Sequence, residues 1–453
     1  MSQSSRNSKN IFLPFGILLA SLLALPLGAD EPPLALGGEI LVPDATSGEQ
    51  SWPEVASNED GHFVATWQSA DSDGDGFGIL AQMYDSSGLE VGTPIAINST
   101  VAGDQTRPAI ACDDSGDFGI AWQSPDAAGS GIFARRYEEE GFPDTSQVAV
   151  NTTTAGEQTL PSIAMSENGD FLVVWQSPDA SGEGIKARLF NDDGDPRTGE
   201  IQVNVTTAGD QQNPQVRADD ETGGYLVVWE GPDASGSGIW MRRLGSNGSL
   251  VGGEAGVNNV TAGVQRNPAL AISGIDPDPL GRNLFVVVWQ SPDSFGYGIW
   301  ARVYDDSGTP LGPQFLVNDD DGNNQSEPSV AFDDGEDDAD LDFAVTWTES
   351  SVLGAGQQTL LGAPIFIRGR RLGGLPPHLL TGPNVEFAVS VAGTATAASS
   401  VAAENDGDFV VVWQSDGQDG SDEGVYGRRF AGQPIFVDGF ETGNTSRWSL
   451  TVP

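Results

Sequence analysis

The hydrophobic positions of this chain gather in short runs that begin with an aromatic residue and end in tryptophan. In a β-strand, successive side chains point to opposite faces, so Phe171, Val173 and Trp175 share one face while Leu172 and Val174 share the other. Both faces are apolar, so each strand must be covered from two sides. The seven runs end at Trp67, Trp122, Trp175, Trp229, Trp289, Trp347 and Trp413, which stand 53 to 66 positions apart.

One repeat contains four predicted strands separated by turns rich in Gly, Asp and Ser: 108–112, 118–122, 132–137 and 147–150. Its length is near the ~40–50 residues of four-stranded propeller blades. A sandwich leaves one face of each sheet open, whereas a propeller packs every blade between two neighbours. The pattern therefore predicts an all-β fold, a seven-bladed β-propeller with four-stranded antiparallel blades.

The two ends of the repeat region offer a way to close the ring. A lone strand, 39–42, precedes the first repeat and has no partner strands of its own. It can pair beside the last blade, at about 401–437, and leave no open sheet edge. The strand 434–437 competes for the same place, and the sequence leaves both open. We assign residues 30–437 to the propeller and 438–453 to a C-terminal tail.

The first 29 residues read as a signal peptide. Arg6 and Lys9 precede an apolar run over 11–27, and small residues suited to cleavage follow at Gly28 and Ala29. No later stretch is long and apolar enough to span a bilayer. The sequence therefore predicts export, with retention as an uncleaved anchor as the alternative.

The charge balance limits the classes of binding partner that this protein can have. The chain has 65 Asp+Glu against 20 Lys+Arg, a formal net charge of −45. Such a field repels phosphate backbones and anionic lipid headgroups, so we expect no nucleic-acid or membrane-surface role. Cys112 is the single cysteine, so no internal disulfide can form, and its equivalents in other repeats indicate a small core residue.

Longer loops gather on one predicted face of the ring, which we call the long-loop face; it carries the inter-blade links and the loops after each tryptophan. Loops on a rigid scaffold are where binding residues usually lie. In six of the seven repeats a glutamine precedes the opening proline of the blade by three positions, and Thr396 takes this place in the seventh. Two roles are open: satisfying backbone groups where blades meet, or forming a polar ring that binds a sugar, a peptide terminus or a cation. These candidates are Gln50, Gln105, Gln158, Gln211, Gln265 and Gln325.

Two further acidic patterns stand out. Asp71, Asp73 and Asp75 alternate in a stretch that resembles the opening of a calcium loop, because carboxylates at alternate positions and a glycine at the bend suit a hard cation. Gln82 stands where that loop would carry its bidentate acid, so a solvated acidic turn is the alternative. In four blades a loop aspartate, such as Asp179, is followed by an arginine, such as Arg188, which predicts an intra-blade ion pair or a turn cap.

The motifs of common catalytic sites are missing. The two histidines, His62 and His378, lack the Cys, His or Asp company of a zinc site, and no Gly-x-Ser-x-Gly, HExxH or phosphate-binding glycine loop occurs. Catalysis usually needs one asymmetric constellation, whereas these polar residues recur. We nominate no catalytic residue.

The repeat unit Asn-x-x-Thr-Ala-Gly-x-Gln-x-x-Pro, followed by Gly-Asp-Phe-x-Val-x-Trp-Gln-Ser and Gly-Ile-x-Ala-Arg, resembles repeats of large secreted or surface-displayed bacterial proteins. The resemblance covers about residues 40–437 and implies an extracellular propeller-like region, with no set of catalytic residues. The ending from Asp438 to Ser449 is similar to a segment at the C-terminal ends of many secreted bacterial proteins, where it implies sorting or surface attachment.

Together these observations predict an exported, non-enzymatic, monomeric propeller, secreted or held at the surface of a Gram-negative bacterium. The expected ligand is a carbohydrate, a protein or a surface polymer, with calcium as a candidate cofactor. Two alternatives stay open. One is a propeller-fold carbohydrate-active enzyme, a lyase or a glycoside hydrolase, with its site at the channel mouth, and the other is a structural envelope protein.

Overall fold

The structure is a computed structural model, and it describes most of the repeat region. The described residues are 33–42, 48–273, 283–294, 296–319, 322–333, 342–350, 365–373, 386–390, 395–404, 407–418, 420 and 423–431. Every regular element among them is a β-strand. The predicted leader and tail, and the strand 434–437, lie outside these residues.

The strands form seven antiparallel sheets, which we number as blades 1 to 7 in chain order. Two short strands come first: β1 (Leu34–Ala35) and β2 (Ile40–Leu41). Blade 1 contains β3 (Gln50–Ser57), β4 (Phe63–Ala70), β5 (Phe77–Tyr84) and β6 (Glu90–Ala96). Blade 2 contains β7 (Thr106–Cys112), β8 (Phe118–Pro125), β9 (Ser130–Tyr137) and β10 (Val148–Ala149). Blade 3 contains β11 (Thr159–Met165), β12 (Phe171–Pro178), β13 (Glu183–Phe190) and β14 (Ile201–Gln202).

The remaining blades repeat this order. Blade 4 contains β15 (Gln212–Asp219), β16 (Gly224–Pro232), β17 (Ser237–Leu244) and β18 (Leu250–Gly256). Blade 5 contains β19 (Arg266–Ile272), β20 (Leu284–Pro292), β21 (Tyr297–Asp305) and β22 (Phe315–Leu316). Blade 6 contains β23 (Asn324–Asp333), β24 (Asp342–Ser350), β25 (Ile365–Gly373) and β26 (Phe387–Ala388). Blade 7 contains β27 (Ala395–Ala403), β28 (Phe409–Asp416) and β29 (Glu423–Ala431).

The first strand of each blade is the innermost. First strands of consecutive blades contact one another around the ring, and that of blade 7 contacts that of blade 1. The first strands therefore form the wall of a central channel. The prediction of a seven-bladed propeller with four-stranded blades is confirmed.

The second strand of each blade is buried on both faces, as its sequence requires. Phe171, Val173 and Trp175 of blade 3 lie in one hydrophobic cluster with Ala121 and Ile132 of blade 2. The alternate residues Leu172 and Val174 lie in the cluster shared with Val216, Val227 and Trp229 of blade 4. All seven repeated tryptophans are essentially inaccessible to solvent. Each tryptophan is thus a wedge between two blades.

The N-terminal strand completes blade 7. Ile40 and Leu41 of β2 pair with Gly427 and Tyr426 of β29, and the Val42 amide donates to the Val425 carbonyl at 3.0 Å. Val42 also packs with Trp67 in the cluster between blades 7 and 1. One of the two closures that the sequence left open is therefore present, and it joins the two ends of the repeat region. Among the described residues there is no helix of the length and apolarity needed to cross a membrane.

Candidate functional site

The six repeated glutamines lie under the long-loop face, and each has at most 1% of its surface exposed. The amide of Gln158 donates to the Gly156 carbonyl at 2.9 Å, and its oxygen accepts from the Ser177 hydroxyl at 2.7 Å. Gln105 donates to the Gly103 carbonyl at 2.9 Å. Equivalent donations to main-chain carbonyls are made by Gln50, Gln211 and Gln265. With its amide in the flipped orientation, Gln325 donates to the Asn323 carbonyl at 3.2 Å. Of the two open roles the geometry favours the structural one, and ligand binding by these amides stays a prediction.

A different set of residues rings the mouth of the channel on the long-loop face. In every blade the residue two positions after the glutamine, or its equivalent in blade 7, has a positive φ of 50° to 55° and coincides with a β-bulge in the first strand. A left-handed backbone is unfavourable for residues other than glycine. We call these seven residues the mouth ring: Trp52, Arg107, Leu160, Asn213, Asn267, Glu327 and Ala398.

At three members of the mouth ring the strained backbone is held by a side chain of the neighbouring blade. The Gln68 side chain accepts from the Arg107 amide at 3.0 Å, and the Gln123 side chain accepts from the Leu160 amide at 2.8 Å. Gln414 does the same for the Trp52 amide across the ring closure, at 3.3 Å. Each of these glutamines directly follows a wedge tryptophan, so the blade packing fixes the backbone of the mouth.

The side chains of the mouth ring contact one another. The Arg107 guanidinium lies over the Trp52 ring, 3.2 Å from its centroid, which is a cation–π geometry. Burial lowers the pKa of Arg107, while the charge of Glu327 opposes that shift. The Asn213 amide donates to the Asn267 side chain at 3.3 Å. The rim thus presents an aromatic ring, a cation, an anion and side-chain amides around one mouth.

Deeper in the channel, Glu54 of blade 1 and Arg217 of blade 4 interact electrostatically. Glu54 is exposed and Arg217 is half-buried, although protein surrounds both charged groups. This combination is expected of side chains that project into a channel. Burial raises the pKa of Glu54, and the hydrogen bond from Ser400 and the charge of Arg217 oppose the shift. Burial also lowers the pKa of Arg217, which the charge of Glu54 opposes. Blades 2 and 3 separate the two strands along the wall, so the two charges act on each other without direct contact between their strands.

The opposite mouth is acidic. Asp114 and Asp220 occupy equivalent turns after the first strands of blades 2 and 4. Burial and the charges of Glu59, Glu167 and Asp113 raise the pKa of Asp114 to about 6. Burial, followed by the charges of Asp114, Glu167 and Asp219, raises the pKa of Asp220 to about 7. The carboxylates at this mouth therefore repel one another.

The acidic loop of blade 1 lies on the long-loop face, against the link to blade 2. The Asp73 carboxylate accepts from the Asn98 side chain at 2.6 Å, and the Asp75 carboxylate accepts from the Gly103 amide at 3.2 Å. Asp71 has a positive φ of 58°. In the described part of the chain no three His, Cys, Asp or Glu side chains are arranged as metal ligands. Calcium binding by Asp71, Asp73 and Asp75 stays a prediction.

The repeated loop aspartates cap turns, as one of the two predicted roles requires: Asp179 accepts from the Ser181 amide at 2.8 Å. The repeated arginines have a different partner from the one expected. Arg188 donates to the Val150 carbonyl of the preceding blade at 2.8 Å, and Arg242 donates to Val203 at 2.7 Å. These arginines therefore connect neighbouring blades through main-chain carbonyls. Cys112 contacts the cluster between blades 1 and 2, and burial raises the pKa of its thiol well above the usual range.

Sequence reasoning missed both the mouth ring and the Glu54–Arg217 pair. The mouth ring has no residue pattern, because its seven members are of six residue types and only their backbone repeats. Glu54 and Arg217 do leave a signal, since alanine or serine fills most equivalent positions in the other blades. Aligning the first strands blade by blade would have exposed these two breaks.

No protein-family model matches the chain, and the curated proteins contain no match. Solved structures share the architecture at low identity. The β-propeller domain of the Trilobed protease from Pyrococcus furiosus is 9% identical with a TM-score of 0.43, over 87% of this chain and 99% of that chain. A protein of unknown function from Dyadobacter fermentans is 12% identical with a TM-score of 0.48, over 76% of this chain and 99% of that chain. A mutant Aleuria aurantia lectin in complex with alpha-methyl-L-fucoside is 12% identical with a TM-score of 0.41, over 80% and 97% of the two chains. Similarity this remote carries no argument about function.

Proposed function

We propose that this protein is an exported, non-enzymatic binding module that holds a carbohydrate, a protein or a surface polymer at its long-loop face. One observation carries the proposal: seven equivalent positions share one strained backbone conformation and carry six different types of side chain. Strained residues held by their surroundings concentrate at ligand sites. The mouth ring is such a set, on a rigid scaffold.

The contrast with the buried glutamines supports this role. The glutamine is the same in six blades, because each copy meets the same need of its own link. The mouth ring has no such shared need beyond its backbone, which the neighbouring blade holds at Trp52, Arg107 and Leu160. Its side chains can therefore differ from blade to blade, and an asymmetric rim is what a specific ligand requires.

Export enters the proposal from the sequence alone. The predicted signal peptide at 1–29 and the tail at 438–453 support secretion or surface attachment, and the net charge of −45 favours solubility outside the cell. The proposed ligands are accordingly molecules met at or beyond the cell surface.

A binding screen tests the proposal. The full chain, recovered after export, is presented to arrays of glycans and surface polymers, with release of reducing ends measured in parallel. We expect retention on one class of polymer, reduced at least about tenfold by Trp52→Ala or Arg107→Ala, since aromatic and arginine anchors dominate binding surfaces. Phe142→Ala is the matched control, because Phe142 is an exposed aromatic in the turn between β9 and β10, away from the mouth ring. Equal retention of all three variants would refute the proposal.

The second candidate function is a carbohydrate-active enzyme, and the Glu54–Arg217 pair favours it. The pair is asymmetric and confined to two blades, and Glu54 has a raised pKa, which suits a proton donor. If the parallel assay detects reducing ends or unsaturated products, and Glu54→Gln removes them while keeping retention, the enzyme replaces the binding module.

A further inference from the structure

Two repeated positions of the first strands carry small residues in all but three cases. Each first strand has two positions, one and three residues after the opening proline or its equivalent, that lie on the same side of the strand. Glu54 and Gln215 fill the first position in blades 1 and 4, and Arg217 fills the second in blade 4. The other occupants are Ala56, Ala109, Ala111, Ser162, Ala164, Ala269, Ala271, Ser329, Ala331, Ser400 and Ala402.

The small residues show how little space these positions offer between blades. Ala164 packs in the cluster between blades 3 and 4, and Ala402 packs in the cluster between blades 7 and 1. A glutamate or an arginine at the same position exceeds that space, so Glu54 and Arg217 extend into the channel. Their mutual effect on pKa across blades 1 and 4 agrees with this placement.

Both groups keep hydrogen-bonding capacity within the channel. The Ser400 hydroxyl donates to Glu54 Oε2 at 2.8 Å, and Arg217 donates from Nη1 to the Val216 carbonyl at 2.9 Å. Among the described residues these are the direct hydrogen bonds of the two side chains. The other Glu54 oxygen and the remaining N–H groups of the guanidinium are therefore available to a ligand.

The positive charges of the inner strands are placed to receive an anion. In a protein of net charge −45, Arg107, Arg217 and Arg266 all lie on first strands. Arg107 marks the long-loop mouth, and Arg217 lies six residues beyond its own glutamine, deeper along the wall. An anion in the channel would lie close to these arginines, and salt screens such short-range attraction only weakly. Salt screens the repulsion from the distant surface carboxylates more strongly.

We propose that Arg217 and Glu54 form a site inside the channel for a small ligand, or a chain end, that carries a carboxylate beside a hydroxyl or ammonium donor. The planar guanidinium receives the carboxylate with two parallel hydrogen bonds, and Glu54 accepts from the donor. Gln215, at the level of Glu54, contributes an amide. The site rests on the proposed function only in using the same mouth for entry.

Calorimetric titration at pH 7 tests the site. Two probes carry both groups, D-glucuronate as a sugar acid and L-alanine as an amino acid. D-glucose and ethanolamine lack the carboxylate, and acetate lacks the donor. We expect saturable binding of one of the two complete probes, which identifies the source of the ligand, and binding at least about tenfold weaker for D-glucose and ethanolamine, the loss of one charge-assisted contact.

Variants separate the two side chains. Arg217→Ala should weaken the complete probe at least about tenfold, and Arg217→Met gives the same readout if the alanine variant fails to fold. Glu54→Gln should weaken the complete probe and leave acetate binding unchanged or improved. Lys186→Ala is the control, because it removes one positive charge from an outer strand of blade 3. No saturable binding by either complete probe, or equal binding by Arg217→Ala and the control, overturns the site.

The outcome is independent of the polymer screen. Loss of polymer retention in Trp52→Ala with unchanged titration of the small probe supports both the mouth ring and the channel site. Polymer retention that persists in every variant, together with normal titration of the small probe, refutes the mouth ring and leaves the channel site standing. Retention by the mouth ring without any probe binding refutes the channel site alone.

Discussion

Trp175 packs between blades 2 and 3, and an equivalent tryptophan fills every other interface of the ring. On the channel wall Glu54 and Arg217 each occur once, and their equivalents are mostly alanine or serine. The interfaces thus repeat in sequence and in structure, whereas the channel and its mouth repeat only in backbone. A residue that every blade carries meets a need that every blade has, namely packing on its neighbours. A residue that occurs once meets no such need, and ligand recognition is the role that we propose for it.

The packing role of the repeated tryptophans is tested most directly at Trp175. Trp175→Ala should lower the free energy of unfolding by about 3–5 kcal/mol, because it opens a cavity between two blades. Trp175→Phe should lose clearly less, since it keeps most of the packed ring. Denaturant unfolding measures both, with the exposed Val251→Ala as a control expected within about 0.5 kcal/mol. A midpoint unchanged by Trp175→Ala would contradict the wedge.

The acidic loop of blade 1 tests whether an irregular loop on the long-loop face also has a task. If Asp71, Asp73 and Asp75 bind calcium, a hundredfold excess of calcium over Kd should stabilise the protein by about 2.7 kcal/mol, and a chelator should remove that gain. Thermal unfolding with calcium, with magnesium and with chelator measures the effect. Asp73→Asn should abolish the response, and Asp179→Asn, in the equivalent loop of blade 3, should preserve it. A melting temperature indifferent to calcium and chelator contradicts the metal.

A substitution at Gln158 distinguishes the structural role of the repeated glutamines from a ligand-binding role, because the two roles predict opposite results. Gln158→Ala leaves the Ser177 hydroxyl and the Gly156 carbonyl without their buried partner, which should lower the free energy of unfolding by about 1–3 kcal/mol. Ligand retention by the folded variant should be unchanged. Ser246→Ala, at an exposed turn, is the control. A variant of full stability that loses its ligand would instead make the glutamines the binding ring.

The fold could be predicted from the sequence because the second strand of each blade carries apolar residues on both faces, which indicates burial on both sides. Phe171 and Leu172 are both apolar, and two buried faces require two neighbouring blades. The lone strand 39–42 likewise indicated closure, although its competitor lies beyond the described residues. These features depend on local pattern and repetition, which one sequence displays in full.

The candidate site was harder to predict because its information is not in residue type. A positive φ at Trp52 or Leu160 follows from a bulge held by a glutamine of the adjacent blade, and nothing in either residue's own sequence indicates it. The repeated arginines were assigned to the wrong kind of partner because main-chain carbonyls of a neighbouring blade are invisible in sequence. Glu54 and Arg217 could have been noticed as breaks in a small-residue position, but only the closed ring places both of their strands on the wall of one channel.

At the acidic mouth we expect the smallest change in the free energy of unfolding, and its direction depends clearly on pH. The pKa of Asp220, about 7, lies above its ordinary value of 3.8, so the native state binds the proton more tightly than the unfolded chain. Ionised Asp220 therefore opposes folding, and its contribution to stability is greatest below pH 3.8 and declines as the pH rises towards 7. Asp220→Asn should accordingly be more stable than the parent at pH 7.5, by about 0.5–1 kcal/mol, because solvent at the mouth screens much of the repulsion from Asp114 and Glu167. The difference should shrink steadily as the pH falls and vanish near pH 3.5. Asp193→Asn, at an exposed outer turn, serves as the control, and denaturant unfolding between pH 3.5 and 7.5 provides the measurement. A gain that is independent of pH would show that charge repulsion at this mouth is not its cause.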